Sequence, residues 1–149
     1  MASFPASAQQ KPPQQAPAAQ AEIASAMVPV NALFAAIASR DTSGISEHIQ
    51  DGATMTITRS GEQTSRRITF QQWATQISGA TDEYEEIMPD LLVRIDGNIA
   101  MVWGFYTFTR NGALSHCGVN HIGLLKENGV WKISNLAFSV RTEQCEVQS

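Results

Sequence analysis

Charge is scarce in this chain. Of 149 residues, 10 are lysine or arginine and 14 are aspartate or glutamate, a net charge of −4. A chain so poor in basic residues lacks the positive stripe that a nucleic-acid surface needs. No apolar run approaches the roughly 18 to 20 residues that span a bilayer, so no membrane partner is expected. There is no glycine-rich phosphate loop and no Gly-x-Ser-x-Gly elbow. The 3 histidines are scattered over two elements with no tight His/Asp/Glu spacing, so no metal is expected, and no cofactor is implied. Cysteine is limited to Cys117 and Cys145. What is present is 43% hydrophobic residues in a length that suits one domain, enough for a packed core.

The first 21 residues, MASFPASAQQKPPQQAPAAQA, are another material. Proline, glutamine and alanine dominate and there is little to bury, so residues 1–21 are expected to be a disordered tail and 22–149 the folded domain. Ala6-Ser7-Ala8 has the small-residue look of an export cleavage site, but no apolar segment precedes it. A periplasmic or secreted location is one expectation, with Met1 added to a trimmed chain; a cytoplasmic chain with a loose start is the other. The cysteines bear on the same choice, because an even pair in an exported protein can be bonded. A two-residue loop at Asn128-Gly129 sets Cys117 opposite Val140, so a bridge to Cys145 requires the tail to reverse after Arg141. A disulfide and two separate thiols both remain open.

Ile23, Met27, Val30, Phe34 and Ile37 recur at helical spacing. Pro29 belongs in a first turn, which places the regular helix from about Met27. Asp41 is a good N-cap for a short second helix carrying Ile45 and Ile49, stopped by Asp51-Gly52. Residues 53–59 read as a strand with Met55 and Ile57 on one face. Thr69 and Gln72 form a capping box for a third helix ending near Ser78. From about Asp82 to Arg141 the pattern is four strands, joined by turns at Asp96-Gly97, Asn111-Gly112 and Asn128-Gly129. Such pairs accept the positive φ of hairpin turns. The fold class is therefore α+β: a curved, mostly antiparallel sheet wrapped over N-terminal helices.

Three stretches carry a resemblance: Ala100-Met-Val-Trp-Gly-Phe-Tyr106, Ser115-His-Cys-Gly-Val-Asn120 and Lys126-Glu-Asn-Gly-Val-Trp-Lys-Ile133. Together they resemble the nuclear transport factor 2-like superfamily, nearest its SnoaL-like and ketosteroid-isomerase-like members, over roughly Glu22 to Cys145. The resemblance implies a cone-shaped sheet closed over a long first helix, with an internal pocket, and says little about activity. The basic aspartate of the ketosteroid isomerases would fall at Ile57, and their acidic oxyanion donor at Asn120, so that mechanism is disfavoured.

Turn registry predicts the pocket. With two-residue turns, Trp103 opposes Asn120, Phe105 opposes Gly118 and Met101 opposes Ile122, and opposed residues share a face. The resemblance points the Trp131/Ile133 side inward. That side collects Met101, Trp103, Phe105, His116, Asn120, Asn135 and Ser139, with Met55 from the first strand, as ligand-binding candidates around a small apolar molecule. A solid core filled by Trp103 is the alternative to a cavity. His116 is the candidate general acid or base, and Asn120 the group that orients the ligand. The other side, with Tyr106, Val119, Phe138 and Val140, is also apolar and suggests a homodimer. His121 belongs to that side, and His48 to the second helix. Two functions follow: a binder of a small apolar molecule, or a cofactor-independent lyase or isomerase that shuttles a proton through His116.

Overall fold

The computed structural model describes residues 17–146. Helix α1 runs Pro17–Ser39 and a 3₁₀ turn follows at Ile45–His48. The remaining elements are β1 (Ile49–Arg59), β2 (Arg66–Thr69), α2 (Phe70–Ser78), β3 (Tyr84–Ile87), β4 (Leu92–Asp96), β5 (Ile99–Arg110), β6 (Ala113–Glu127) and β7 (Val130–Val140). The seven strands form one sheet in the order β2-β1-β7-β6-β5-β3, with β4 also pairing β5. Only the β1–β7 pair is parallel. The sheet curves over α1 and α2, so the fold is the expected α+β cone.

Helix α1 closes the cone with Ala26, Val30, Leu33 and Ile37, which are buried at spacings of four and three. The helix starts ten residues before Met27, so Pro29 lies in its interior, fully buried. Of the proposed tail, residues 1–16 lie outside the described residues, and Pro17 to Ala21 are helical. The expectation of no long apolar segment also needs correction. Ala19–Ser39 has mean hydropathy 1.6 and by length and composition could cross a membrane. Its hydropathy has a local cause, because one face fills the core. Low proline content past Pro17 and abundant alanine let the helix start early.

The second helix shrinks to the 3₁₀ turn. Asp41 caps locally instead, its Oδ1 accepting from Ser43 N at 3.0 Å and Ser43 Oγ at 2.6 Å. Asp51-Gly52 stops nothing: it is an irregularity inside β1, with Gly52 at φ 79° and the pairing to β7 shifted between Ile49 and Thr54. The capping box on α2 is complete. Gln72 N donates to Thr69 Oγ1 at 3.0 Å, and Thr69 N to Gln72 Oε1 at 2.9 Å. Asn111-Gly112 and Asn128-Gly129 both take positive φ at each residue, as two-residue hairpin loops require. The first turn sits one residue later than expected, at Gly97-Asn98, between the paired Asp96 and Ile99. What read as a single strand before it is broken into β3 and β4 around Pro89, which cannot donate to the ladder.

Two β-bulges set which side of each strand faces the cone. Thr109 pairs Leu114, but Phe108 pairs His116, so Ser115 is an extra residue in β6. Leu124 pairs Ile133, but Gly123 pairs Asn135, so Ser134 is an extra residue in β7. Beyond each bulge the partner is offset by one, and a one-residue offset carries a strand's side chains to the other face. Trp103 therefore opposes His121, and Gly104 opposes Asn120.

Candidate functional site

The concave face beneath the bulged end of the sheet encloses a cavity of about 70 Å³. Its apolar walls are Leu33 and Ile37 from α1, Trp73 and Ile77 from α2, and Met55 and Leu136 from the sheet. Aromatic rings of Phe108 and Phe138 complete them. Four polar side chains face in: Glu86 from β3, Tyr106 from β5, and His116 and Asn120 from β6. Strand pairing brings them together. Glu86 opposes Phe108, which opposes His116, so a carboxyl and an imidazole flank one phenyl ring across three strands.

Asn120 is 3% exposed, the one buried polar side chain among the described residues. Its Nδ2 donates to Glu86 Oε1 at 2.6 Å and approaches Met88 Sδ at 3.5 Å. Gly104, opposite Asn120, makes room: a Cβ there would lie 2.5 Å from the Asp90 carbonyl oxygen and 2.8 Å from Met88 Cε. Burial pushes the Glu86 carboxyl up from 4.5 to about 7, against the opposing pull of the Asn120 hydrogen bond. Glu86 keeps some solvent contact as a residue, but its carboxyl is turned into the cavity. The Tyr106 hydroxyl is raised far above its usual value, first by burial and then by the Glu86 charge. It donates to the Ser139 carbonyl oxygen at 2.7 Å. His116 is shifted down, first by burial and then by the Arg59 charge, so its imidazole is neutral at pH 7. The ring stacks on Phe108 at 4.7 Å and 18° and meets Tyr106 edge-on at 5.8 Å. Its Nδ1 lies 3.1 Å from Ser115 Oγ.

The expected site residues divide. Met55, His116 and Asn120 line the cavity. Met101, Trp103 and Phe105 do not: the Ser115 bulge turns that phase of β5 to the convex side, where Trp103 is 47% exposed. The Ser134 bulge does the same to Asn135 and Ser139. Met101 and Asn135 instead line a shallow convex groove of about 420 Å³ with His121. Ser139 is structural, its Oγ accepting from Val119 N at 2.9 Å while its carbonyl holds Tyr106. The residues named for a homodimer also invert. Tyr106 and Phe138 line the cavity and Val140 is buried, which leaves Val119 of that set on the convex side. His48 ends the 3₁₀ turn, away from the cavity. Cys117 and Cys145 are joined by a disulfide, with Cα atoms 5.5 Å apart. Among the described residues no His, Cys, Asp or Glu cluster is placed to hold a metal ion.

No protein-family model and no curated protein sequence matches the chain. Solved structures do. A crystal structure of a candidate dehydratase from the nuclear transport factor 2-like family of Streptomyces avermitilis aligns at TM-score 0.66 and 13% identity, over 83% of this chain and 98% of that one. A nuclear transport factor 2-like protein from Cytophaga hutchinsonii aligns at 0.65 and 16%, over 82% and 98%. One of unknown function from Shewanella baltica aligns at 0.65 and 11%, over 83% and 97%. The chain has the nuclear transport factor 2-like fold. Identities this low carry the fold and leave the site to be argued from its own residues.

Within the nuclear transport factor 2-like cone, sequence reasoning missed Glu86. It belongs to the acidic run Asp82, Glu83, Glu85 and Glu86 around the start of β3. Asp82 holds Arg110 and Asn111 outside the cavity, and Glu83 and Glu85 are exposed. The usable signal was alternation in the four-residue β3, where Tyr84 and Glu86 are partly buried and Glu85 and Ile87 exposed.

Proposed function

We propose that this protein binds a small molecule in the cavity beneath its sheet and exchanges a proton with it through Glu86. One observation carries the proposal: a carboxyl group that changes charge near pH 7 stands in a largely apolar cavity that a neutral imidazole also lines. A general acid or base works best with its pKa near the working pH, and displaced pKa values gather where chemistry is done. His116 thus gives up the proton-shuttle role to Glu86 and becomes a hydrogen-bond donor.

The groups suit proton removal from carbon beside a carbonyl. Glu86 takes the proton, and the electron pair moves onto the carbonyl oxygen. His116 donates to that oxygen from Nε2–H, the tautomer in which Ser115 Oγ donates to Nδ1. Return of the proton to a different carbon is isomerisation, and departure of a β-hydroxyl as water is dehydration. Neither step requires a cofactor. The Streptomyces avermitilis neighbour's printed name, a candidate dehydratase, is in keeping with that class. Size restricts the ligand. At a share of about 30 Å³ per water, 70 Å³ accommodates two or three waters, so the ligand has a handful of non-hydrogen atoms.

Proton exchange in D₂O tests this. Wild type should speed deuterium incorporation beside the carbonyl of butanone or 2-oxobutanoate, read by proton NMR. Glu86→Gln should abolish the acceleration, and His116→Ala should reduce it about tenfold to a hundredfold, within the range of acid–base and oxyanion contributions. Binding without exchange in wild type would leave a binding protein and remove the catalytic part.

A further inference from the structure

Two arginines stand at the β1–β2 edge of the concave face, and no ion pair among the described residues engages either. β1 ends at Arg59, on the same strand face as buried Met55 and partly buried Ile57. Arg66 opens β2 opposite Ile57, as Ile68 sits opposite Met55. Ile68 is buried in the core. Alternation therefore puts Arg59 and Arg66 on the concave face, at its rim, as diagonal neighbours across two strands. Diagonal pairs of this kind stand about 7 to 8 Å apart, within reach of long side chains. Both are exposed. The ion pairs among the described residues are Arg110–Asp82 and Lys126–Glu22, so neither arginine has a carboxylate partner. Glu62, in the turn between them, pairs with neither. Arg59 also lies close enough for its charge to act on both His116 and Tyr106. Arg59 and Arg66 thus put two positive charges on one edge of the concave face, in a chain whose net charge is −4.

We infer that the cavity takes a small monoanion: a short carboxylic acid with a carbonyl group, its carboxylate held at the rim by Arg59 and Arg66 and its carbon chain directed inward to Glu86. Guanidinium is the side chain whose planar fork matches a carboxylate. An anchored carboxylate would also help fix which carbon meets Glu86, alongside the polar groups inside the cavity. A neutral ligand of the same size gains none of this. This rests on the proposed use of the cavity, and the probes separate the two claims.

Binding of 2-oxobutanoate and of butanone, its neutral counterpart without the carboxylate, is measured by calorimetry or ligand-observed NMR on the full chain. Wild type should bind 2-oxobutanoate at least tenfold more tightly, with the preference falling as salt is raised. Arg59→Met should cut 2-oxobutanoate affinity about tenfold and leave butanone unchanged, while Arg59→Lys keeps part of the preference. Arg66→Met should act in the same direction. Should Arg59→Met fail to fold, Arg59→Lys and the wild-type salt dependence decide. Butanone bound as well as 2-oxobutanoate, or 2-oxobutanoate unaffected by Arg59→Met, would overturn the anion assignment and leave the cavity proposal standing. Neither compound bound would overturn both.

Discussion

Glu86 ties stability to pH in a direction opposite to that of most carboxylates. Its folded pKa is raised from 4.5 to about 7, so between those values the folded protein binds more protons than the unfolded chain. Stability contributed by this group is complete below pH 4.5, declines as pH rises, and is gone above 7. The shift corresponds to up to about 3 kcal/mol at 1.36 kcal/mol per unit. Glu86→Gln keeps an acceptor for Asn120 Nδ2 and carries no charge. The difference in urea midpoint between variant and wild type should therefore grow in the variant's favour from pH 4.5 to 7 and then stay level. A difference that is flat with pH would mean that the carboxyl is solvated. Gly118 is a second residue with a sharp expectation, since a Cβ there would fall 1.9 Å from the Ser139 carbonyl oxygen. That carbonyl is backbone and is held by Tyr106, so it cannot simply rotate away. Gly118→Ala should cost more than about 2 kcal/mol, in the range of strongly disruptive core changes, seen as a drop in Tm. The residue-scale lesson is that residue type and turn spacing revealed His116 and Asn120. Glu86 was hidden, because its burial depends on a partner two strands away.

Elements were legible wherever a local rule was strong enough to act alone. The α2 capping box and the hairpin turns at Asn111 and Asn128 depend on residues within four positions of one another, and each forms as the sequence predicts. The bulges depend on nothing local. Ser115 and Ser134 look like ordinary strand residues, yet each reverses the facing of what lies beyond it in the partner strand. That is why Trp103 and Tyr106 exchanged places between expectation and structure. Deleting Ser115 tests the point directly. Leu114 would then run straight into His116, so Thr109 with Leu114, Phe108 with His116 and every pair beyond could form without a bulge. Val102 and Tyr106 would stay inside, and the deletion should keep a cooperative melting transition, as should Ser115→Ala, which keeps the extra residue. Loss of that transition on deletion alone would show that the bulge does more than offset the register. For α2, Thr69→Ala removes the cap and should cost about 1 kcal/mol, loosening the Trp73 and Ile77 wall of the cavity.

At the scale of the whole molecule, the cone stays closed through α1 at one side and a covalent tie at the other. Cys117 is buried on β6 directly after His116, and its backbone exchanges two hydrogen bonds with Arg141, at 2.9 and 2.8 Å. The Ser134 bulge makes Arg141, not Val140, the partner of Cys117. Gln144, at φ 52°, then turns the tail back so that Cys145 reaches it. Sequence posed the need for that reversal but not its residue, because glutamine carries no turn preference that announces a positive φ. The bridge spans 28 residues, enclosing the last hairpin and the whole of β7. Chain-entropy arguments give a closed loop of this length about 3 to 4 kcal/mol of stabilisation, by restricting the unfolded chain. Cys117→Ala with Cys145→Ala should lower unfolding free energy by that order, and reductant should destabilise wild type equally while leaving the double variant unmoved. Because the bond ends the strand pair beside His116, its loss should also be felt at the cavity. Hydrogen exchange at Cys117 and Arg141 should quicken before that at Ile122 and Leu136 deeper in the sheet. Uniform protection across these four amides, with the bond broken, would show that β6 and β7 hold the rim without it.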